Sequence, residues 1–464
     1  MATWTPDPSF YPSPRMAMQA PPERLAYVAM LNVDTAARPD ALGVVDVDPG
    51  SSRYGRLVGR VDMPKAGDEL HHFGWNACSS ALCPYAPHPH VERRYLIVPG
   101  LRSSRIHILD TKADPTQPKI VKVIEPEELA ARANYSRPHT LHCGPEGIYV
   151  SALGNGAGGG PGGVFLMDHD SFDVLGQWEI DRGPQFLAYD VWWHLGQDTM
   201  ITSEWGTPDM IEGGLDPDLL LGAKYGHCVH FWDLRKRRHQ QTIDLGPEYQ
   251  LALELRPAHD PTKAHGFMNA VVNLTDLSSS IWLWHRRDGG WAMRKIIDIP
   301  AEPADPDQLP PMLKGFKAVP PLVTDIDLSL DDRWLYVACW GTGEMRRYDV
   351  SDPFQPKLTA SVRLGGIVGR SPHPGHQGAL NGGPQMVEVS RDGKRVYFTN
   401  SLYRSWDEQF YPEGIKSWMV KLDAAPDGGL SIDERFFLRF DDGFRGHQIR
   451  LEGGDASSDS YCYP

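Results

Sequence analysis

Seven short strands, six of them ending in Asp, recur along this chain at a mean spacing of roughly 63 residues, and a period of that length implies a repeated β unit. The clearest pair is Ile106-His107-Ile108-Leu109-Asp110 and Arg346-Arg347-Tyr348-Asp349. Each is followed by a second Asp, by Pro-x-Gln-Pro-Lys, and by another alternating strand (120–124 and 358–364). An Asp at the end of a strand suits the turn because its carboxylate accepts from the amides that follow. Looser copies end at Asp46, Asp168, Asp233 and Asp423, and a seventh, Ile281-Trp282-Leu283-Trp284, ends in His285.

A second element precedes the hairpins. Residues 325–342 align without gaps on 190–207, each closing on Trp-Gly-Thr (Trp340, Gly341, Thr342; Trp205, Gly206, Thr207). Residues 384–398 and 139–150 are further copies. Two strands plus two strands make a four-stranded blade, and blades repeated radially make a propeller. The chain is therefore read as all-β, a seven-bladed β-propeller. The first hairpin lacks an inner strand, whereas residues 447–451 form an inner-like strand with nothing after it. The two ends are expected to share one blade and so close the ring without an exposed edge. This reading gives an N-terminal extension over 1–24 and one propeller domain over 25–464. The best helical pattern is Glu125 to Asn134.

The length of 464 residues exceeds an ordinary single domain but not a propeller, and 41% hydrophobic residues suffice for a core. The net charge of −14 argues against nucleic acid or an anionic membrane as partner. The one basic cluster, Arg235 to Arg238, reads as a solvated hairpin turn. No apolar run reaches signal-peptide or membrane-spanning length, so a cytoplasmic protein is expected. Six cysteines (78, 83, 143, 228, 339 and 462) lack CxxC spacing, which suits a reducing compartment; Cys78 and Cys83 are read as two buried thiols, the alternatives being a mutual pair or metal ligands.

Innermost strands of a propeller converge on its axis. One position per blade gives His71 or His72, His139, Asp190, Glu254, Asp325, Gln385 and His447. The carboxylates suit a hydrated channel lining. The histidines are different, because imidazole is the commonest transition-metal ligand and four occur in two tight pairs, His71-His72 and His139-x-x-His142. A regular strand points adjacent residues, and residues three apart, to opposite faces, so both members of a pair reach one metal only where the strand start is irregular. Copper, zinc and iron all suit nitrogen ligands. His88, His90, His285, His373 and His376 read as loop or surface residues. The glycine-rich stretch 154–163 opens a strand and lacks the Lys-Ser/Thr of a P-loop, and neither GxSxG nor HExxH occurs.

At these residues the chain resembles the selenium-binding protein family, whose characterised members include copper-dependent methanethiol oxidases. The resemblance rests on Asp68 to Ser80, Thr202 to Trp205, Leu328 to Arg333, Gly382 to Met386, Ser401 to Pro412 and Gly453 to Asp459, and spans nearly the whole chain. It implies a propeller, copper as cofactor, and oxidation of methanethiol by O2 and water to formaldehyde, hydrogen peroxide and hydrogen sulfide. His71, His72, His139, His142 and His447 match the family's motifs and become the copper-ligand candidates, with His227 a lesser one. Two departures stand out. Ala456 replaces the Cys of a C-terminal Gly-Gly-Asp-Cys-Ser-Ser, and a Tyr-Gly-x-His pattern reads Tyr225-Gly226-His227-Cys228. No cysteine is assigned to selenium.

In that reaction Asp190, Glu204, Glu254 or Asp325 would move protons, since breaking the C–S bond takes a proton from the methyl carbon and adds water. Trp75, Trp205 and Trp340 wall the site or pack between blades. The partners expected are a small thiol and O2, with neither nucleic acid nor membrane. The competing readings are a non-catalytic propeller that binds metal or selenium, and a calcium lactonase-like propeller, which needs an oxygen-only site.

Overall fold

A computed structural model of the chain describes residues 5–33 and 37–464. It contains seven four-stranded antiparallel sheets arranged as the blades of a propeller, and one two-stranded ribbon. Blades 1 to 6 take four consecutive strands each, and their innermost strands are Gly74–Trp75, Tyr135–Cys143, Val191–His194, Tyr249–Pro257, Val323–Leu328 and Val387–Val389. Blade 7 is built from both ends of the chain. Its inner strand Phe444–Leu451 pairs with Leu25–Asn32, which pairs with Pro39–Asp46 and then Leu57–Ala66. The expected ring closure is present.

The acidic turns behave as their chemistry requires. Asp110 Oδ1 accepts from Lys112 N at 2.9 Å, Asp349 Oδ1 from Ser351 N at 2.9 Å and Asp233 Oδ1 from Lys236 N at 2.8 Å. The expected helix, the longest of five short ones among the described residues, spans Pro126–Ala133, with Pro126 at its first turn and Asn134 in the left-handed region at its end (φ 53°).

Apolar side chains fill the spaces between neighbouring blades. Ile97, Ile106 and Ile108 of blade 1 pack with Leu141, Val150 and Phe165 of blade 2. Blades 4 and 5 meet through Phe267, Leu283, Ile326 and Val337. Each such side chain, fully buried, contributes about 1.5–3 kcal/mol. Buried carboxylates tie the inner strands together: Asp40 accepts from Leu70 N, Asp190 from Leu255 N, Asp325 from Val387 N and Asp327 from Val389 N, at 2.7–3.0 Å. Being hydrogen-bonded is what makes their burial tolerable.

The expected extension over 1–24 begins on residues 1–4, which lie outside the described residues. Beyond them, Phe10 packs on Ala77, Ala81 and Val91, and Glu23 pairs with the Arg395 guanidinium. No helix of the described residues is long and apolar enough to cross a membrane.

The reading of the cysteines needs correction. Cys83 is not a free thiol; it forms a disulfide with Cys462, with Cα atoms 5.6 Å apart. Closure of blade 7 lays the C-terminal tail across one end of the channel, where Asp459 meets Arg93 and Ser460 Oγ accepts from the indoles of Trp192 and Trp193. This juxtaposition leaves no trace in cysteine spacing. Cys78, Cys143 and Cys339 are buried thiols.

A candidate metal centre on the propeller axis

The inner strands are irregular where they approach the axis. In blade 2, residues 139 and 140 together stand opposite one residue, Ser151; in blade 4, 253 and 254 stand opposite Asn269; in blade 7, 447 and 448 stand opposite residue 29. Each is a β-bulge, which bends the strand and re-aims its side chains. In blades 2 and 4 the residue opposite the bulge stabilises it and reaches the next blade. Ser151 Oγ accepts from Thr140 N at 3.1 Å and donates to Tyr189 O at 2.5 Å. Asn269 Oδ1 accepts from Glu254 N at 2.8 Å while its Nδ2 donates to Val323 O at 2.6 Å. In blade 1, residues 71–73 are unpaired between the bridge at Leu70 and the strand from Gly74. The irregular strand start that two adjacent histidines require is there.

His71, His72, His139 and His447 consequently meet in one fully buried cluster. Ring centroids are 3.7 Å apart for His71 and His447, 4.2 Å for His72 and His139, 4.8 Å for His71 and His72, and 5.0 Å for His71 and His139. Ligand nitrogens of His71, His72 and His447 lie within 4.8 Å of one another. The Nε2 atoms of all four rings are buried without a hydrogen-bond partner. On the far side of three rings, Nδ1 is held: His447 by Ser401 O at 2.6 Å, His139 by Thr140 Oγ1 at 2.9 Å, and His72 by Thr140 Oγ1 and Gln448 Nε2, each at 3.5 Å. Such contacts fix ring orientation and leave Nε2 for a metal.

Burial, reinforced by the neighbouring imidazoles, holds His71, His72 and His139 well below the ordinary histidine range, and burial lowers His447 to about 3. The rings are neutral at physiological pH, the form that binds metal. Four unsatisfied buried Nε2 atoms on neutral imidazoles, three of them on rings held at Nδ1, fit a transition-metal ion, copper among them, and do not fit the oxygen-only site that calcium requires.

The opposite half of the channel is charged. Arg256 reaches Glu254 and Asp325 at 3.0 Å, and Asp190 and Asp327 at 3.6 Å. Burial pushes the Asp190 carboxyl up to about 8, with Glu254 adding to the effect, and raises Asp325 in the same direction. Both oxygens of Asp190 and of Asp325 are occupied by backbone amides, with Arg256 also on Asp325. Glu254 differs, because its Oε1 accepts from the Tyr189 hydroxyl at 2.6 Å and the Tyr189 ring lies 4.3 Å from His139. Glu254 alone of the four candidate carboxylates is linked to the histidines through one side chain. Glu204 is engaged elsewhere, by His230 Nε2 at 3.0 Å and Cys228 N at 3.1 Å.

His142 faces Trp192, at a ring distance of 4.0 Å, towards the end closed by the C-terminal tail, and is not among the four clustered rings. His227 sits at a blade-3 hairpin beside Asp244. Trp205 stacks on His71 at 6.5 Å, and Tyr403 meets the same ring edge-on at 6.0 Å. Trp340 is buried in the adjoining apolar cluster, and Trp75 packs on Tyr27. Sequence reasoning missed Tyr189, Arg256, Thr140 and Gln448. Each adjoins or lies two residues from a channel position already identified, and Thr140 and Gln448 sit within the bulges at 139–140 and 447–448.

Beyond Trp205 lies an apolar cavity of ≈ 130 Å³ whose lining includes Leu251, Val271, Leu322, Trp340, Leu402 and Trp406. Trp406 packs on Trp205 at 5.4 Å, so two indoles stand between the cavity and His71. Leu221 and Phe316 also line it and are 62% and 50% exposed, which marks its mouth.

Comparison with known proteins agrees with this architecture. The chain is 38% identical over 475 residues to a methanethiol oxidase of Xenopus laevis and over 477 to one of Homo sapiens, with 97% of each chain covered. It is 37% identical to selenium-binding protein 2 of Mus musculus over the same share. A hypothetical selenium-binding protein from Sulfolobus tokodaii, solved by X-ray, superposes with a TM-score of 0.96 at 60% identity over 99% of this chain and 100% of that one. A periplasmic gluconolactonase of Pseudomonas aeruginosa (TM-score 0.53, 11% identity, 92% and 99% covered) shares the fold alone. The model of the 56 kDa selenium-binding protein family, SBP56, matches residues 4–462, and the chain belongs to that family.

Proposed function

We propose that this protein is a copper-dependent methanethiol oxidase, converting methanethiol, O2 and water to formaldehyde, hydrogen peroxide and hydrogen sulfide. The observation that carries the reading is the set of four buried imidazoles with unpartnered Nε2 atoms on the propeller axis. The relatives named methanethiol oxidase, aligned over nearly the full length, support it. His71, His72, His139 and His447 would hold the metal. Copper bound there would supply a soft acceptor for thiol sulfur and electron exchange with O2.

The surrounding residues suit that chemistry. The apolar cavity favours a small uncharged thiol and O2 over charged thiols, because its lining offers almost no polar partner for a charge. Trp205 and Tyr403 flank the histidines and keep water from them. Glu254, which accepts from the Tyr189 hydroxyl beside His139, would accept and return the proton.

The test is direct. Copper-loaded protein given methanethiol should consume O2 and release peroxide and sulfide in equal amounts. Fully loaded protein that produces neither would leave the alternative, a metal- or selenium-binding propeller without turnover.

A further inference from the structure

Away from the axis, a second group of donors sits at the open end of the outer hairpin of blade 3. Strand Cys228–Asp233 pairs with Arg238–Asp244, and Cys228 and Asp244 are directly opposite in register. Cross-strand partners project to the same face, so thiol and carboxylate are brought together by the sheet itself. His227, just before the strand, completes the group: its Nδ1 is 2.8 Å from Asp244 Oδ1 and 3.8 Å from Cys228 Sγ. All three donor atoms lie within 4.8 Å of one another.

A fourth donor is built in from below. Gly226 passes so close to Glu204 that an added Cβ would lie 2.2 Å from Glu204 Cβ, a path open only to glycine. The Glu204 carboxylate thereby reaches Cys228: Oε2 accepts from Cys228 N at 3.1 Å. His230 holds the other oxygen at 3.0 Å, and its own Nδ1 lies 3.1 Å from Thr242 Oγ1. Two carboxylates beside one thiol and one imidazole form a negative, mixed S/N/O pocket, which favours a cation.

We propose that His227, Cys228 and Asp244, with Glu204 or water in the fourth position, form a second metal site selective for Zn2+. Tetrahedral bonds of about 2.3 Å to sulfur and about 2.0 Å to nitrogen place those donors about 3.5 Å apart, close to the separation found here. The His227 side chain is 24% exposed and that of Asp244 58%, so the ion enters from solvent without crossing the core. Bound there, it clamps the hairpin end that carries the outer edge of blade 3. The site shares no residue with the axial cluster and does not depend on the oxidase reading.

Cobalt separates the two sites, because the axial cluster contains only nitrogen donors whereas the hairpin site contains a thiolate. The other free thiols, Cys78, Cys143 and Cys339, are buried. Titrating metal-free protein with Co2+ should produce a thiolate-to-cobalt charge-transfer band in the near ultraviolet whose final amplitude corresponds to one thiolate per chain and which excess Zn2+ bleaches. The band should survive in His447→Ala and vanish in Cys228→Ser. Asp244→Asn, at an exposed position that leaves the core untouched, should weaken Zn2+ binding at least tenfold in competition with a chromophoric chelator. Absence of the band in wild-type protein, its persistence in Cys228→Ser, or unchanged Zn2+ affinity in Asp244→Asn would each overturn the site.

Discussion

The imidazole of His447 lies flat against that of His71, with centroids 3.7 Å apart and planes within 16°, although the two residues come from opposite ends of the chain. Neither Nε2 has a hydrogen-bond partner. Two buried, unpaired ring nitrogens side by side cost free energy in the absence of a ligand, at about 1–3 kcal/mol each. A bound metal offsets that cost. His71→Ala and His447→Ala should therefore retain less than a tenth of the wild-type copper after loading and desalting. His142→Ala, whose ring faces Trp192, should retain it all. Copper per chain by elemental analysis, with circular dichroism to verify folding, decides the matter; equal copper in all four proteins would refute the axial site.

The orientation of the rings is open to a separate test. Thr140 Oγ1 touches Nδ1 of both His139 and His72, so Thr140→Val removes a hydrogen bond from two rings without removing a ligand. Loss of such outer contacts weakens metal binding by about 10–100-fold. A copper affinity within a factor of two of wild type would assign Thr140 to the bulge alone.

The carboxylates should divide by role. Tyr189→Phe cuts the link between Glu254 and the histidines, and should lower kcat on methanethiol about 100-fold with copper content unchanged. Asp325→Asn removes an acceptor from a backbone amide of the next blade and should act first on stability, lowering Tm. If Asp325→Asn instead spares Tm and abolishes turnover, the proton route runs through Asp325.

Substrate preference should follow the apolar cavity. Leu251→Asp should depress kcat/KM for methanethiol at least tenfold. Trp406→Ala, by removing one of the two indoles between cavity and His71, should raise the propanethiol-to-methanethiol ratio of kcat/KM. Each added methylene that finds apolar contact is worth about 0.8 kcal/mol, about fourfold. An unchanged ratio in Trp406→Ala would mean that thiols reach the histidines by another path.

Asp40 carries a pH signature. It is buried, accepts from Asn32 N and Leu70 N at 2.7 Å, and so fixes the residue before His71. Burial pushes its carboxyl up to about 7, with Asp68 and Glu69 adding to the shift, from an ordinary value of 3.8. Between those values the folded protein keeps the proton and the unfolded chain releases it, so this group makes stability fall as pH rises from about 4 to 7. The fall is on the order of 4 kcal/mol, at 1.36 kcal/mol per unit. Asp40→Asn does not titrate there. The stability of wild type relative to Asp40→Asn, from denaturant unfolding at several pH values, should decline across this window; an increase would contradict the assignment.

The architecture was legible because a propeller repeats its pattern. Asp110 and Asp349 close equivalent turns, residues 325–342 and 190–207 are equivalent pairs of strands, and the leftover strand at 447–451 completed the count. Period-two alternation and turn chemistry are local properties, and seven repetitions reinforce them. His71, His72, His139 and His447 were also found, since inner strands must converge. The sequence alone pointed those four histidines toward the axis, but not Tyr189, Thr140, Arg256 or Gln448 beside them.

Tertiary structure decided what those residues do there. Bulges at 139–140, 253–254 and 447–448 turn side chains that strict alternation would have separated, and a bulge is specified by the opposing strand and the next blade through Ser151 and Asn269. The same holds for the disulfide of Cys83 with Cys462, and for Cys228 meeting Glu204 past Gly226. Each joins residues that no local pattern relates. Their distances are set only when the ring closes, because closure fixes the position of every inner strand against its neighbours.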